Sequence, residues 1–339
     1  MPSSNPAPRT AASIRDVARR AGVSHMTVSR VLNDSANVRE STRAQVLAAI
    51  AALNYRPSPV ARALASGASR MLGILDATGG LLYGPMNTVW AIESAARQVG
   101  YSAVVAGVDP SDRDSVRQAV EHLLNQEAAG LIVIGPSAGA RDVLGELAPE
   151  VPIVTMHGTS EEPVIIAQAE AARAATRHLL QLGHTRIAHI AGPADWFEAT
   201  SRRQGFIDEL AAAGLEPLAI ESSDWSPQSG YEAATRLLAR APEATAVFCA
   251  NDSIALGLLH AATDAGLELP AQLSVIGVDD TPESAHFRPP LTTLRQDFAE
   301  GGRRAVVSIL AALGRDVTVP QSSLVPQLIV RASTAAPPR

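Results

Sequence analysis

The 339-residue sequence has no lysine, one cysteine and few aromatic residues. With Cys249 alone there is neither an intrachain disulfide nor a cysteine-built zinc cluster. Three Trp, four Tyr and five Phe leave the cores to Ala, Val, Ile and Leu. No apolar run reaches the roughly 18 residues of a membrane span. The Pro/Ser-rich opening, residues 1–12, lacks the apolar stretch of a secretory signal and reads as a disordered lead-in. These absences predict a cytoplasmic protein with no membrane partner. The motifs of common catalysts are missing as well: no G-x-S-x-G, no Walker sequence, no H-E-x-x-H. No cofactor and no enzymatic activity are expected. His184 and His189, flanking a turn and a strand start, read as structural residues rather than metal ligands.

The charge that is present is unevenly spread. Residues 1–70 hold 10 Arg against Asp16, Asp34 and Glu40, a net of +7; the rest of the chain carries −13, giving the overall −6. A basic head on an acidic body suggests a polyanionic partner for the head alone.

The head reads as three short helices. Ser13 caps the first, from Ile14 to about Ala21, with Ile14, Val17, Ala18 and Ala21 on one face. Gly22-Val23 turns the chain. Ser24 caps the second, His25 to about Leu32, whose Val28, Val31 and Leu32 face inward. A third runs from about Thr42 to Leu53 with an apolar stripe of Val46, Leu47, Ile50 and Leu53. Residues 14–33 therefore have the helix-turn-helix pattern, which sets the second helix in a DNA major groove. His25, Met26 and Arg30 fall at base-reading positions, since Arg recognises guanine O6/N7 and Met packs on a thymine methyl. Ser24, Thr27, Ser29 and Asn33 are short polar residues suited to phosphate contacts.

From Met71 onward apolar runs alternate with amphipathic helices, the rhythm of parallel sheets. Strands are expected at Leu72–Leu75, Ser102–Ala106, Leu131–Ile134, Ile153–Met156, Ile187–Ile190, Ala246–Cys249 and Val275–Val278. Two doubly wound lobes are expected, roughly 71–166 and 167–295, with ligands held at the carboxyl ends of the strands. Polar residues gather there: Asn251-Asp252, Asp279-Asp280, and Arg202 with Arg203. Trp225 sits in a polar loop. Amide, carboxylate and guanidinium groups suit vicinal hydroxyls, and an indole suits the apolar face of a sugar ring. Singly, Asn251 or Asp279 is equally compatible with a helix cap, and Trp225 with packing.

The helix-turn-helix stretch, continuing through Tyr55-Arg56-Pro57, resembles the LacI/GalR (lactose/galactose repressor) family. So do Asp224-Trp225-Ser226, Ala250-Asn251-Asp252, Val278-Asp279-Asp280-Thr281 and Pro289–Phe298. The resemblance covers about residues 13 to 334. It implies a helix-turn-helix headpiece over 13–57 and a hinge helix and linker over 58–70. A periplasmic-binding-protein-like core of two parallel-sheet lobes would fill 71–334, with 335–339 as a tail. It implies that Leu64 enters the minor groove and that Ala61 lies at the hinge contact. It also implies that Arg202, Asn251 and Asp279 bind sugar hydroxyls, that Trp225 and Phe298 form apolar walls and that Gln296 joins the site. His157 stands where the resemblance leads one to expect a ligand-binding aspartate, and Ile134 where it leads one to expect an asparagine. The implied protein is a repressor that binds a near-palindromic double-stranded DNA operator and answers to a sugar-like effector. The terminal Ala335-Ala336-Pro337-Pro338-Arg339 has no heptads, so a homodimer is expected. A transported-sugar binding protein would share the core but need a signal sequence and no headpiece, and a sugar-processing enzyme would need an acid and a base facing one cleft.

Overall fold

The computed structural model describes residues 12–32, 38–55, 69–80, 82–109, 111–135, 138–147, 149–156 and 166–338. Two compact units divide between Ser69 and Arg70. Asn33, Ala61, Leu64 and His157 lie outside the described residues.

The first unit contains α1 (Ile14–Ala21), α2 (His25–Leu32) and α3 (Glu40–Leu53). Ser13 and Asp16 form a reciprocal capping box: the Asp16 amide donates to the Ser13 hydroxyl while the Ser13 amide donates to the Asp16 carboxylate at 2.9 Å. Gly22 ends α1 at φ +66°, a left-handed turn that costs glycine nothing. Val17, Ala18, Val28, Val31, Val46 and Ala49 make the core. Helix α3 differs from the sequence expectation in two respects. It starts at Glu40, with Arg39 as N-cap and no side-chain capping bond. Its buried stripe runs through Val46, Ala49, Ile50 and Leu53, at i, i+3, i+4, i+7, so Leu47 is turned away and 52% exposed.

The second unit holds two sheets. In the first lobe β1 (Met71–Asp76), β2 (Ser102–Gly107), β3 (Gly130–Ile134) and β4 (Ile153–Thr155) are parallel in the order β2-β1-β3-β4. In the second lobe β5 (Ile187–Ala191), β6 (Ile220–Ser222), β7 (Ala246–Cys249), β8 (Ser274–Asp279), β9 (Thr292–Arg295) and β10 (Gln327–Ile329) run β10-β9-β8-β7-β5-β6. Only β10 is antiparallel. In each sheet the strand order reverses beside the first strand, between β1 and β3 and between β5 and β7. Such switch points open a crevice at the strand ends.

The helices are α4 (Tyr83–Gln98), α5 (Arg113–Asn125), α6 (Ala138–Leu147), α7 (Gln168–Gln181), α8 (Phe197–Ala212), α9 (Pro227–Arg240), α10 (Asp252–Asp264) and α11 (Phe298–Ala312). The lobes are not consecutive halves of the chain. After β9 the chain returns to the first lobe, where Ala305, Val306, Ile309 and Leu310 of α11 pack with Leu72, Ile74, Ile92 and Ile132. Gly302 allows that return: a Cβ there would sit 2.5 Å from the Ala91 Cβ of α4. Residues 325–338 then rejoin the second lobe, where Ser333 ties the chain end to β8 and β9. The Val275 amide donates to the Ser333 carbonyl, and the Thr292 amide donates to the Ser333 hydroxyl. Among the described residues no helix is long and apolar enough to cross a membrane.

Candidate ligand cleft and recognition surface

On the headpiece, His25, Met26 and Arg30 all project into solvent, Met26 with 55% of its surface exposed. An exposed thioether on a helix otherwise anchored by Val28 and Val31 is unexplained by packing within this unit. Ser24 and Thr27 bond to one another, hydroxyl to hydroxyl at 2.9 Å, and the Thr27 amide donates to Ser24 Oγ at 3.1 Å. Ser24 is thus the cap of α2. Ser29 is half-buried.

Between the two lobes lies a cleft enclosing about 760 Å³, part of it open to solvent. Arg202, Trp225, Asn251, Asp279, Gln296 and Phe298 all line it, and so does Ile134 at the end of β3. Its floor is one hydrogen-bonded chain. Arg202 on α8 donates through Nε to Gln168 Oε1 at 2.8 Å and through Nη1 to the Ala250 carbonyl. Gln168, at the start of α7, donates to Gln296 Oε1 at 2.9 Å, and Gln296 donates to Asp279 Oδ1. A network satisfied end to end holds its members rigidly.

Asn251 does two jobs. Its side-chain oxygen accepts from the Ile254 amide at 2.8 Å, capping α10, while Nδ2 donates to the Trp225 carbonyl at 3.3 Å. The adjacent acids separate. Asp279 faces the cleft. Asp280 turns away to pair with Arg295 at 2.6 Å and Arg331 at 2.5 Å, so the two do not form a catalytic dyad. Behind them Asp252 is fully buried. It accepts from the Thr281 amide at 2.9 Å, from the Thr293 hydroxyl at 2.6 Å and from Ser284. Burial, reinforced by the Asp279 charge, pushes the Asp252 carboxyl up to about 7. Burial likewise pushes Asp279 up to about 6, with Arg202 and Gln296 pulling the other way. Arg202 shows the converse: burial lowers it, and Asp279, Glu198 and Asp252 favour its cation.

Trp225 is only 5% exposed. Its ring lies 5.6 Å from the Arg202 guanidinium carbon and is met edge-on by Trp196 at 5.6 Å. A Cβ on Gly192 would fall 2.5 Å from the indole, so only glycine fits beneath it. The indole N–H has no hydrogen-bond partner among the described residues. Trp225 (φ +77°), Asp279 (+119°) and Asp280 (+56°) are three of the five non-glycine residues with positive φ among those described. Such conformations cost on the order of 1–3 kcal/mol each and persist where surrounding contacts impose them.

Residues that sequence reasoning does not single out complete the cleft. Thr78, Leu82, Tyr83 and Met156 enter from the first lobe, and Gln168, Trp196, Phe197 and Glu198 from the second. Tyr83 meets Phe298 edge-to-face at 6.0 Å. The signal that could have found the Trp196 group is its place after the Gly192-Pro193 turn that follows β5. His184 and His189 are accounted for by structure. His184 bonds Thr245 at 2.9 Å and the Ala335 carbonyl at 2.8 Å, while His189 stacks on Phe248 at 4.7 Å and bonds its carbonyl at 2.8 Å.

A two-lobed α/β domain clasping a polar-floored cleft, carried in one chain with a helix-turn-helix unit, defines a bipartite class of protein. Residues 13–58 match the lacI family of bacterial regulatory proteins, and residues 176–334 match the periplasmic binding protein-like domain. The chain is 38% identical over 328 residues to the lactose operon repressor of Escherichia coli, spanning 95% of this chain and 90% of that protein. It is 34% identical over 331 residues to the HTH-type transcriptional repressor PurR of Mannheimia succiniciproducens, spanning 95% and 98%. Among solved structures, the lac repressor dimer bound to operator and the anti-inducer ONPF superposes with a TM-score of 0.83 at 36% identity, covering 96% of this chain and all of that one. The CelR–cellobiose complex superposes with a TM-score of 0.68 at 29% identity, covering 95% and 99%. The chain belongs to the lacI family of bacterial regulatory proteins.

Proposed function

We propose that this protein is a sequence-specific DNA-binding repressor of transcription, cytoplasmic and without enzymatic activity, whose operator affinity is set by a sugar-like effector bound between the lobes. The observation that carries the reading is the pairing, in one chain, of a solvent-facing His25, Met26 and Arg30 on a basic helix-turn-helix unit with a buried polar cleft. His25, Met26 and Arg30 read base edges; Ser24, Thr27, Ser29 and Asn33 meet phosphates, Ser24 and Thr27 through hydroxyls already aligned by the cap. In the cleft, Asp279, Asn251 and Arg202 take ring hydroxyls, Gln296 supports them, and Phe298 and Trp225 are apolar walls. His157 is a further effector contact. Ala61 and Leu64 belong to the connecting segment that senses effector binding and contacts the minor groove. The protein acts as a homodimer, one headpiece per operator half-site. An apolar side chain stands exposed on each lobe, Trp90 (69%) on α4 and Leu256 (40%) on α10, as an interface between copies requires.

The effector must differ in affinity between DNA-competent and DNA-incompetent arrangements of the dimer, because equal affinity shifts nothing. Fluorescence anisotropy on near-palindromic DNA at fixed salt, with and without a panel of sugars, tests the reading. Release of DNA by a sugar supports it. DNA binding that no ligand changes, together with Arg30→Ala leaving base preference untouched, defeats it. The expected effect of Arg30→Ala is a loss of about 1–3 kcal/mol at one base position. Sedimentation velocity should show twice the 35.3 kDa chain mass.

A further inference from the structure

Trp196, Phe197 and Glu198 enter the cleft together at the start of α8. Two are aromatic and half-buried, the third is a carboxylate in the helix's first turn.

We infer that Glu198 determines the charge of the ligand: the cleft takes an uncharged glycoside and rejects phosphorylated or carboxylated sugars. The inference rests on the effector role proposed for this cleft. Three observations converge on it. First, among the described cleft residues the one guanidinium, Arg202, is already surrounded by Asp279, Glu198 and, behind the floor, Asp252. Its Nε and Nη1 are committed to Gln168 and Ala250, so an incoming anion meets two carboxylates in the cleft and a cation already bonded elsewhere. Repulsion of this kind in a desolvated site is one physical means of rejecting a charged ligand.

Second, three of the helix starts that line the cleft are guarded, whereas α4, which begins at Tyr83, has no side-chain cap and no acid in its first turn. A free helix N-terminus welcomes phosphate through its unpaired N–H groups. Glu198 lies in the first turn of α8, Asn251 caps α10 by accepting from the Ile254 amide at 2.8 Å, and Asp297 caps α11 by accepting from the Glu300 amide at 2.9 Å.

Third, the surface beside Glu198 is apolar. Trp196 and Phe197 are aromatic side chains suited to the C–H side of a sugar ring, and the buried Trp225 N–H has no hydrogen-bond partner among the described residues. Aromatic face, carboxylate acceptor and indole donor together fit a polyhydroxylated, uncharged ring.

Isothermal titration of the full chain with matched probes tests this: methyl galactoside, cellobiose and glucose against galactose 6-phosphate, glucose 6-phosphate and galacturonate. An uncharged member should bind, with its charged counterpart at least about tenfold weaker. Glu198→Gln should narrow that gap by raising affinity for the charged probes, and Glu198→Asp should restore it. Tighter binding of a phosphorylated sugar than of its parent, or a ratio unmoved by Glu198→Gln, overturns the inference while leaving a sugar effector standing. Binding of neither class overturns the sugar reading and the inference with it. If Glu198→Gln fails to give a cooperative melt, Glu198→Ala takes its place in the same comparison.

Discussion

The two lobes line the same cleft with different chemistry. The second contributes Gln168, Arg202, Asp279 and Gln296, a polar set fixed by its own hydrogen bonds before any ligand arrives, with Asn251 and Glu198 beside it and Trp196, Phe197 and Trp225 as apolar walls. The first contributes mainly Leu82, Tyr83, Ile134, Met156 and Phe298. The charged and amide groups therefore sit on the second lobe, and the first lobe faces them with a mainly apolar wall. The second lobe can distinguish one hydroxyl arrangement from another, because a misplaced hydroxyl leaves a buried partner unsatisfied. The first lobe gains from any apolar face that excludes water, so its contribution scales with area rather than identity. Recognition and closure are thereby assigned to separate parts of one site. Leu82 links them, since it packs from the start of α4 against the second lobe's core cluster, which contains Trp225.

The sharpest way to break this asymmetry is Asp279→Ala. It removes a charged acceptor and leaves Arg202 without its principal opposing charge. Effector affinity should fall on the order of 100-fold, as loss of a charge-assisted hydrogen bond of about 2–3 kcal/mol requires. DNA affinity without effector should stay near that of the wild type; titration calorimetry and anisotropy read the two. A retained effector response would move recognition out of the second lobe.

The second test uses pH. Burial holds the Asp279 carboxyl up at about 6, so below that value it gains a proton and becomes a poorer acceptor for ligand hydroxyls. Affinity for an uncharged ligand is therefore full above pH 7 and declines as pH falls through 6, by about tenfold at pH 5. Asp279→Asn should flatten the profile. An unchanged Kd between pH 7.5 and 5 would show that the ionised form is not the one that binds.

Phe298→Ala, on the first lobe, should have the smallest effect: roughly a fivefold loss, near 1 kcal/mol for a half-buried ring, with the ranking of sugars preserved. A changed ranking would mean that the first lobe also reads identity.

Much of this architecture is legible in the sequence, for reasons that differ by region. Helices α1 and α2 begin and end at strong local signals: Ser13, Gly22 and Ser24 each act on the backbone within a few residues of themselves. The central strands are buried on both faces and read as unbroken apolar runs, Leu-Ile-Val-Ile in β3 and Ala-Val-Phe-Cys in β7. The strands that sequence alone does not reveal are of another kind. Strand β6, Ile-Glu-Ser, is short and half exposed; β9 opens with buried threonines whose partners, Thr334 and Asp252, are about 40 residues distant. Leu47 is more apolar than Ala49, yet helical phase gives the inner position to the alanine. In the site, the residues after strand ends are recognisable, because strand ends in parallel sheets all face one crevice. Gln168 is not, since its role exists only through Arg202 and Gln296, the latter 128 residues away. Nor is the first-lobe wall, where Tyr83 and Phe298 are brought together by the return of α11.

That return shapes how the protein is made. Synthesis runs from the N-terminus, so all four strands of the first lobe leave the ribosome while α11 is still unmade. Until Ile309 and Leu310 emerge, Leu72, Ile74 and Ile132 are only partly covered on that side, by Ile92 and Ala96 of α4. The first lobe is begun early and finished almost last, after the strands β5 to β9 of the second. Translation that halts before residue 298 yields an incomplete first lobe with an open apolar flank, the kind of species that aggregates or recruits chaperones.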